Sequence, residues 1–258
     1  MSTASRERVA GGKIYVATAG WTIPRASAGR CPSAGTHLQR YARVMPGAEV
    51  NSSFHRPHAR ATYEKWAAST PSEFRFAVKV PRLITHDLRL RRSRPAFEEF
   101  LTQTAGLGQR RGPLLVQLPP SFAFDARVAT RFLDLVRGLY EGPLVWEPRH
   151  ATWFSARADA LLTRHRVARA AADPPIASTE LEPGGWPGIA YFRLHGSPRM
   201  YWSAYEAPYL SRLAEQARRK SVATDVWCVF DNTAGGAALD NAMELHGALR
   251  GPVAPGAP

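Results

Sequence analysis

Side chains able to move protons or bind anions recur at one position in this chain, at or just past the end of a short apolar run. Eight such runs follow one another along the sequence. With the residues that mark their ends, they are 13–21 (Gly20, Trp21), 48–54 (Glu49, Asn51), 74–80 (Lys79), 112–119 (Gln117), 143–149 (Glu147, Arg149), 167–173 (Asp173), 189–196 (Arg193, His195) and 225–232 (Asp231, Asn232). Carboxylates and imidazoles serve as acids and bases, and lysine and arginine bind anions. We therefore expect one pocket built from the ends of many strands.

The predicted catalytic residues are Glu147, His195, Asp173 and Lys79. Glu147 would be a base or a metal ligand, and His195 an acid or a ligand, because these side chains serve in both roles. With Asp173 and Asp231 they could surround a divalent metal. The chain has no local ligand motif such as His-Glu-x-x-His that would identify one, so the cofactor stays undetermined. The alternative is that Glu147 belongs to an ion-pair network in a polar barrel mouth.

A second group of residues is predicted to bind an anion. Lys79, Arg149 and Arg193 would clamp it, because buried cations need counter-charge that nearby carboxylates supply only in part. Backbone amides at Gly196 and Gly235 are expected to hold a phosphate, as loops after strands seven and eight of barrels often do, with a plain glycine-assisted turn as the alternative. Lys79 is also a candidate Schiff-base amine. The remaining predicted binding residues are Asn51, Gln117, Asn232 and His86, of which His86 is also a candidate acid–base group.

The elements that must position these residues are strands alternating with helices. Continuous apolar runs such as 114–116 and 226–230 are typical of strands buried on both faces. Helical patterns lie between the runs, with Pro95 in a first turn and Asp125 as an N-cap. The order β then α predicts an α/β fold, a TIM-type (β/α)8 barrel of parallel strands. A doubly wound open sheet is the alternative, but the first run lacks the glycine-rich nucleotide fingerprint.

The chain length fits one such barrel, since 258 residues match the roughly 250 that are typical. We predict a single domain over 13–249, with residues 1–12 and 250–258 as disordered tails. The proline- and glycine-rich stretch 174–185 predicts a loop in place of a helix. No apolar run is long enough to cross a membrane and the N-terminus has no signal-peptide core, so we expect a cytoplasmic protein with no membrane partner.

The chain is strongly basic, with a formal net charge of +13, and only four of its 34 basic residues are lysines. Such a balance indicates either an anionic partner or a coding bias towards arginine. Its two cysteines, Cys31 and Cys228, have no ligand-like spacing and are expected to be free thiols.

The motifs at the strand ends resemble those of the YecE-like family, domain of unknown function 72. The matching segments are Gly20-Trp21, Glu49–Phe54, Phe76–Pro81 with Thr85-His86, Pro113–Phe122, Glu147 with Arg149-His150 and Trp153-Phe154, Tyr191–Gly196, and Asn232 with Gly235, Ala237 and Asn241. The resemblance implies a TIM-type barrel and implies no particular activity. Two positions depart from the family pattern. Pro148 replaces an aromatic residue between Glu147 and Arg149, and Asp231 replaces an asparagine and adds a carboxylate at the pocket rim.

These observations predict an enzyme, most plausibly a hydrolase, that acts on a phosphorylated small molecule or a nucleic acid in a basic pocket at the carboxyl ends of the strands. The aromatic stretch 200–205 is expected to cover the mouth as a lid. Two alternatives stay open. One is a non-catalytic nucleic-acid-binding barrel, whose binding would depend steeply on salt. The other is a sugar-phosphate isomerase or aldolase-like enzyme. The substrate and the oligomeric state are not determined by the sequence.

Overall fold

The computed structural model describes residues 11–177 and 181–251. Its strands are β1 (Ile14–Thr18), β2 (Gly47–Val50), β3 (Arg75–Lys79), β4 (Arg111–Gln117), β5 (Leu144–Glu147), β6 (Val167–Arg169), β7 (Ala171–Asp173), β8 (Gly184–Gly185), β9 (Ile189–Leu194) and β10 (Asp225–Phe230). Its α-helices are α1 (His37–Ala42), α2 (Arg60–Ala68), α3 (Arg94–Thr104), α4 (Ala126–Leu139), α5 (Ala156–Arg164), α6 (Ala207–Ser221) and α7 (Ala238–Arg250). Short 3-10 helices span Arg25–Arg30, Ser52–Phe54, Ala105–Arg110 and Ala151–Trp153, and a π-helical turn spans Leu83–Asp87.

The strands form two sheets, in the orders β1-β10-β9-β7 and β2-β3-β4-β5-β6-β8. Neighbouring strands pair in parallel, except that β8 pairs antiparallel with β6. Parallel pairing follows from the helices that separate successive strands, because each crossover returns the chain to the same end of the sheet. The predicted α/β fold with parallel strands is confirmed. As predicted, the described residues between β7 and β9 form no helix.

The two sheets approach one another at two places. β6 pairs with β5 in one sheet, and β7, which follows after the single residue Ala170, pairs with β9 in the other. The Ala170 amide donates to the Trp146 carbonyl at 2.8 Å. On the far side, Ala19 and Glu49 form an isolated parallel bridge, and the Gly20 amide donates to the Glu49 carbonyl at 2.8 Å.

Apolar side chains fill both faces of the strands, in two separate clusters. The larger cluster packs strand residues such as Val16 and Val116 against the helices. The smaller one gathers alternate strand residues that face away from the helices, Tyr15, Ala17, Ala77, Leu115, Val145, Ala168, Ala170, Ile189, Tyr191, Trp227 and Val229. Successive strand residues point to opposite faces, so residues i and i+2 share a face. On each strand, the residue two positions after the last member of the inner cluster therefore lies directly above this cluster, towards the carboxyl ends of the strands.

Local signals in the sequence set several element ends. The Asp125 carboxylate caps α4 by accepting from the amides of Arg127 and Val128 at 3.0 and 3.1 Å, as predicted. Pro95 lies in the first turn of α3, also as predicted. Cys31 and Cys228 are buried free thiols, which confirms the prediction. In the part of the chain that the structure describes, no helix has the length and apolarity that crossing a membrane requires.

The predicted tails lie mainly outside the described residues, because 1–10 and 252–258 belong to neither described range. Gly12, which was assigned to the first tail, is tied to the fold by a 2.8 Å hydrogen bond from its amide to the Ser221 carbonyl. Helix α7 extends to Arg250, one residue past the predicted domain end.

Candidate functional site

A buried charged layer lies directly above the inner apolar cluster. Most of its members follow a residue of the inner cluster by two positions on the same strand, and so lie on the same face one layer higher. They are Lys79, Gln117, Glu147, Arg193 and Asp231. Glu49 of β2 joins them, and His195 lies two residues past Arg193 at the end of β9. The parity of the strands explains their convergence, because Val145 and Glu147 share a face, as do Tyr191, Arg193 and His195. The structure thus brings together most of the residues that were predicted at the strand ends.

Arg193 is the centre of this layer and is fully buried. Its Nη2 lies 2.7 Å from Glu49 Oε1 and 3.1 Å from Asp231 Oδ2, and its Nη1 lies 3.4 Å from Glu147 Oε2. Burial opposes its charge, but Asp231, Glu49 and Glu147 raise the pKa of the guanidinium well above its ordinary value. Three carboxylates therefore neutralise Arg193, which leaves it enclosed by protein. Arg193 was predicted to clamp a bound anion, but in this structure its partners are carboxylates of the protein itself.

His195 is also fully buried, with a carboxylate at each ring nitrogen. Its Nδ1 lies 3.1 Å from Asp231 Oδ2 and its Nε2 lies 2.9 Å from Glu147 Oε1. Nε2 is equally close, at 2.9 Å, to Nη1 of Arg149. A protonated Nε2 donates to Glu147, whereas an unprotonated Nε2 accepts from Arg149. The ring therefore has a hydrogen-bond partner for Nε2 in either state, which suits a group that gives up and regains a proton.

Glu147 joins these groups from β5 and is fully buried. Its Oε1 lies 3.1 Å from Arg149 Nη1 and 3.4 Å from Gln117 Nε2. Burial opposes its ionisation, but Arg193, His195 and Arg149 hold the pKa of this carboxyl far below its usual range. Its Oε2 makes no hydrogen bond among the described residues, although it lies 3.4 Å from Nη1 of Arg193. Glu147 is thus an anion surrounded by the predicted ion-pair network, with one oxygen held only by charge attraction.

Lys79 differs from the two arginines because it forms no ion pair within the described part of the chain. Its side chain lies on β3 with Nζ 4.1 Å from the centre of the Phe54 ring. Burial, followed by the charge of Arg193, lowers the pKa of this ammonium to about 8, although Glu49, Glu147 and Asp231 act in the opposite direction. Lys79 is therefore a buried cation with no carboxylate partner within ion-pair distance among the described residues.

Asp173 lies apart from this layer. It shares a face of β7 with Ala171, which belongs to the cluster that packs against the helices, so the Asp173 side chain points towards the helices. Its Oδ2 accepts from the Tyr205 hydroxyl at 2.6 Å, and that hydroxyl accepts from the Gly196 amide at 2.7 Å. Burial and Asp173 itself raise the pKa of the Tyr205 phenol above its usual range. Asp173 was predicted to lie around the same point as Glu147, and this prediction is corrected: Asp173 binds Tyr205 outside the charged layer.

The loop after β9 folds over the charged layer and uses the predicted glycine amides for its own bonds. Gly196 donates to Tyr205, and Gly235 donates to the Tyr201 carbonyl at 3.3 Å. Gly196 has φ of +93°, and a Cβ there would lie 2.9 Å from the Ser203 carbonyl oxygen, so the turn requires glycine. The phosphate site predicted on these two amides is accordingly corrected to a glycine-dependent turn.

Asn232 helps to hold the same loop. Its Nδ2 donates to the Ser203 carbonyl and to Asn241 Oδ1, both at 3.0 Å. The Tyr201 ring stands edge-on to the His195 ring, with 5.6 Å between their centres. Tyr201 is 40% exposed, whereas His195 is fully buried. A molecule approaching His195 from this side must displace Tyr201, in keeping with the predicted lid.

Two further predicted residues, Asn51 and His86, lie on the segments that follow β2 and β3. Asn51 follows β2, and its buried Oδ1 has no donor among the described residues. His86 is half-buried, contacts Thr85 Oγ1 through Nδ1 at 2.8 Å and packs edge-on against Phe54. Burial, with the charges of Arg82 and Lys79, lowers the pKa of its imidazole. It does not reach His195 or Glu147 by hydrogen bonds in the described structure.

The predicted metal ligands do not form a common set of donors. Asp173 is bonded to Tyr205, and the oxygens of Asp231 and Glu147 face guanidinium and imidazole groups. No group of three or more His, Cys, Asp or Glu residues among those described is arranged to hold a metal ion.

Three contributors were not predicted as site residues. Tyr191 donates to Glu49 Oε2 at 2.8 Å and so fixes the carboxylate that binds Arg193. The spacing of Tyr191, Arg193 and His195 by two residues is the signal that could have placed it on the inner face. Glu49 was predicted only as counter-charge, and its central role depends on contacts across strands. Tyr205 reaches Asp173 from a loop, and no local pattern in the sequence marks that contact.

The chain has extensive similarity to proteins of one family. The family model described as "Protein of unknown function DUF72" matches residues 15–257. The UPF0759 protein YecE of Escherichia coli K12 is 31% identical over 121 residues, which are 46% of this chain and 44% of that protein. This chain therefore aligns with less than half the length of that relative.

Solved structures of the family share the fold over most of the chain. A DUF72 family protein from Enterococcus faecalis V583 superposes with a TM-score of 0.79 at 18% identity, covering 93% of this chain and 96% of that one. One from Thermotoga maritima MSB8 gives 0.77 at 24% identity, covering 93% and 100%.

More distant proteins of known structure also share the fold. SacUVDE gives a TM-score of 0.55 at 8% identity, and a sugar phosphate isomerase/epimerase from Parabacteroides distasonis gives 0.52 at 11% identity. The coverage is 93% of this chain and 98% of SacUVDE, and 96% and 98% for the isomerase/epimerase. These likenesses show an α/β fold like that of TIM-type barrel proteins, and a shared fold does not transfer an activity. Because the family model matches residues 15–257, this chain belongs to the DUF72, or YecE-like, family.

Proposed function

We propose that this protein is an enzyme that hydrolyses a phosphate ester at the carboxyl ends of its strands, with His195 as the group that moves the proton. One observation carries the proposal: His195 Nε2 lies 2.9 Å from an acceptor, Glu147 Oε1, and 2.9 Å from a donor, Arg149 Nη1. Nε2 thus has a hydrogen-bond partner whether or not it carries a proton, as suits a general acid–base group.

In the proposed reaction, water attacks phosphorus and the bond from phosphorus to the ester oxygen breaks. His195 gives its proton to the leaving oxygen, and the proton lost by the water restores it, so the histidine is unchanged after one cycle. Lys79 and Arg149 would face the phosphoryl oxygens and stabilise their charge. Arg149 is suited to this role because its side chain keeps 11% exposure, whereas Arg193 keeps none.

Two buried acceptors near the carboxyl ends of the strands support a substrate that also carries hydroxyl groups. Glu147 Oε2 and Asn51 Oδ1 make no hydrogen bond with the described residues, and Oε2 has only the Arg193 guanidinium 3.4 Å away. A sugar hydroxyl would satisfy such an oxygen, and a buried acceptor left unpaired costs about 1 to 3 kcal/mol. The substrate class that fits both features is a phosphorylated sugar, free or within a nucleic acid.

The architecture in this proposal is one TIM-type barrel of eight strands. The Ala19–Glu49 bridge joins β1 to β2, and β6 with β7 act as a single sixth strand between β5 and β9. Both contacts support a closed ring of parallel strands. We place the protein in the cytoplasm, because two buried free thiols suit a reducing compartment.

The test measures turnover with and without the imidazole. Purified protein is incubated with sugar phosphates, bis(p-nitrophenyl) phosphate, and end-labelled DNA that is intact or contains abasic sites. We expect cleavage of at least one ester, and a loss of about 100-fold or more for His195→Gln. The control is His37→Gln, the same substitution at an exposed position at the start of α1, and it should keep full activity. Salt-sensitive DNA binding without any cleavage favours the non-catalytic alternative, and equal turnover by His195→Gln rejects the assigned role.

A second candidate function is supported by Lys79. A buried lysine whose pKa falls to about 8 is partly unprotonated near neutral pH, and an unprotonated amine can attack a carbonyl to form a Schiff base. In that case the protein is an aldolase-like enzyme on a sugar phosphate. Borohydride trapping with a ketose or aldose phosphate, followed by mass spectrometry, should mark Lys79. No adduct at Lys79, or an equal adduct at exposed Lys65, rejects this candidate.

A further inference from the structure

A cavity of about 370 Å³ lies at the end of the strands opposite the charged layer. Arg75 and Arg111 are the first residues of β3 and β4, and Ile189 and Asp225 are the first residues of β9 and β10. All four line the cavity. It therefore opens at the amino ends of the strands and is separated from the charged layer by the inner apolar cluster. A volume of this size lies within the range of small-ligand sites, roughly 300 to 1,000 Å³.

Four arginines line this cavity: Arg75, Arg111, Arg137 and Arg166. None of them forms an ion pair with a carboxylate of the described residues, whereas arginines elsewhere, such as Arg169 with Asp159, do so. Two carboxylates also line the cavity, Glu141 and Asp225, so the lining keeps an excess of positive charge. A concave wall of guanidinium groups that lack carboxylate partners among the described residues attracts anions.

Arg137 is held rigidly at the wall. Its Nε and Nη2 donate to the carbonyls of His165 and Arg166 at 2.7 and 2.8 Å. Its Nη1 donates to the carbonyls of Tyr140 and Gly142 at 3.1 and 2.8 Å. Burial, and then the charge of Arg166, lowers the pKa of this guanidinium. Attraction to the carbonyl end of α4 accounts for Arg137. Arg75 and Arg111 begin strands and are less fully bonded: Arg75 donates through Nη1 alone, to the carbonyls of Ser72 and Phe74, and Arg111 lies over the Tyr140 ring with one 3.4 Å contact from Nη1 to Thr104 Oγ1.

Aromatic rings form another part of the cavity wall. Tyr15 and Trp227 are stacked, with ring centres 4.7 Å apart and planes at 22°, and both line the cavity with the half-buried Trp186. Aromatic faces bind flat heterocyclic rings by stacking. The cavity thus combines a surface for a ring with a surface for phosphates.

We infer that this cavity binds a nucleotide-sized anion, a nucleoside diphosphate or a ligand of the same chemistry, with its phosphates on the arginines and its ring against Trp186. Guanidinium groups bind phosphate oxygens in pairs of hydrogen bonds, which favours arginine over lysine here. The site is independent of the proposed function, because it lies at the other end of the strands.

The test titrates the whole protein with ADP and with pyrophosphate at physiological salt, by tryptophan fluorescence and calorimetry. We expect saturable binding of both. Arg166→Gln, a change at an exposed residue, should weaken it about tenfold to a hundredfold, and adding Arg111→Gln should weaken it further. Arg127→Gln is the matched control, because Arg127 is exposed at the start of α4 while Arg137 lies near its end.

Trp186→Leu separates the two parts of the inference. It should weaken ADP binding and leave pyrophosphate binding unchanged, since only ADP carries a ring. The inference is overturned by an absence of binding at millimolar ADP and pyrophosphate. It is equally overturned if Arg127→Gln and Arg166→Gln have the same effect, or if single-stranded DNA binds more tightly than ADP and is affected by the same variants.

Discussion

Replacing Lys79 by methionine should stabilise the protein at neutral pH. The fold lowers the pKa of this lysine from 10.5 to about 8. Because each pKa unit corresponds to about 1.4 kcal/mol, the folded state loses about 3 kcal/mol at pH 7 by keeping Lys79 protonated. The attraction of the three neighbouring carboxylates is already contained in that pKa. Methionine fills a similar volume without a charge, so Lys79→Met should recover most of this free energy of unfolding.

The dependence on pH gives the sharper form of this prediction. Below pH 8 the lysine is protonated in both folded and unfolded chains, so the full penalty applies. Between pH 8 and 10.5 the folded state releases the proton while the unfolded state keeps it. The unfolded state then binds more protons, and stability contributed by this residue rises with pH. Lys79→Met has no such group, so its advantage over the natural chain should shrink across this interval.

The assay is urea unfolding at several pH values from 6.5 to 10.5, followed by circular dichroism on both proteins. Lys65→Met, on the exposed face of α2, is the control and should change the free energy of unfolding by no more than about 0.5 kcal/mol. A Lys79→Met protein that is less stable than the natural chain at pH 7 refutes the reasoning. So does a difference between the two that stays constant from pH 8 to 10.5.

Three other perturbations test the same network. Arg193→Met should lower the free energy of unfolding by about 3 to 5 kcal/mol in denaturant titrations, because it leaves buried carboxylates unpaired; a neutral effect would show that they are solvated. Tyr205→Phe removes the partners of Asp173 and Gly196 and should cost about 2 to 4 kcal/mol in the same assay, and a loss below 0.5 kcal/mol would contradict this. Because the fold lowers the pKa of Glu147 below 4.5, its contribution is present above that pH and lost on acidification. Acid titrations of Glu147→Gln should therefore have a shallower fall in stability below pH 4.5, and an unchanged slope would argue against a paired carboxylate.

The sequence predicted the fold class and most of the charged layer because both follow from simple periodicities. Alternation of side chains along β9 places Arg193 and His195 on one face, and parallel strands bring Glu147 to the same end. The position of Asp173 could not be derived with equal ease. The strand that carries it changes partners at Ala170, and its side chain binds Tyr205 from a distant loop.

The guanidinium of Arg193 and the backbone amides of Gly196 and Gly235 illustrate a second limit, since composition shows which groups are present but not which partners satisfy them. Arg193 was expected to need a ligand, whereas Glu49, Glu147 and Asp231 neutralise it. The two glycine amides bond to protein oxygens of the loop after β9. Such pairings depend on contacts between segments far apart in sequence, and a single sequence holds no local signal for them.

The contacts of Arg193 also determine when the site can exist during folding. Arg193 belongs to the sheet of β9, and its partners Glu49 and Glu147 belong to the sheet of β2 and β5. The ion pairs therefore link the two sheets, close to the point where Ala19 and Glu49 form their backbone bridge. A chain with only one sheet assembled holds either the guanidinium or two of its carboxylates, but not the joined pair. The charged layer and this link between the two sheets are therefore expected to form together, so amide exchange in β2 and β9 should slow together.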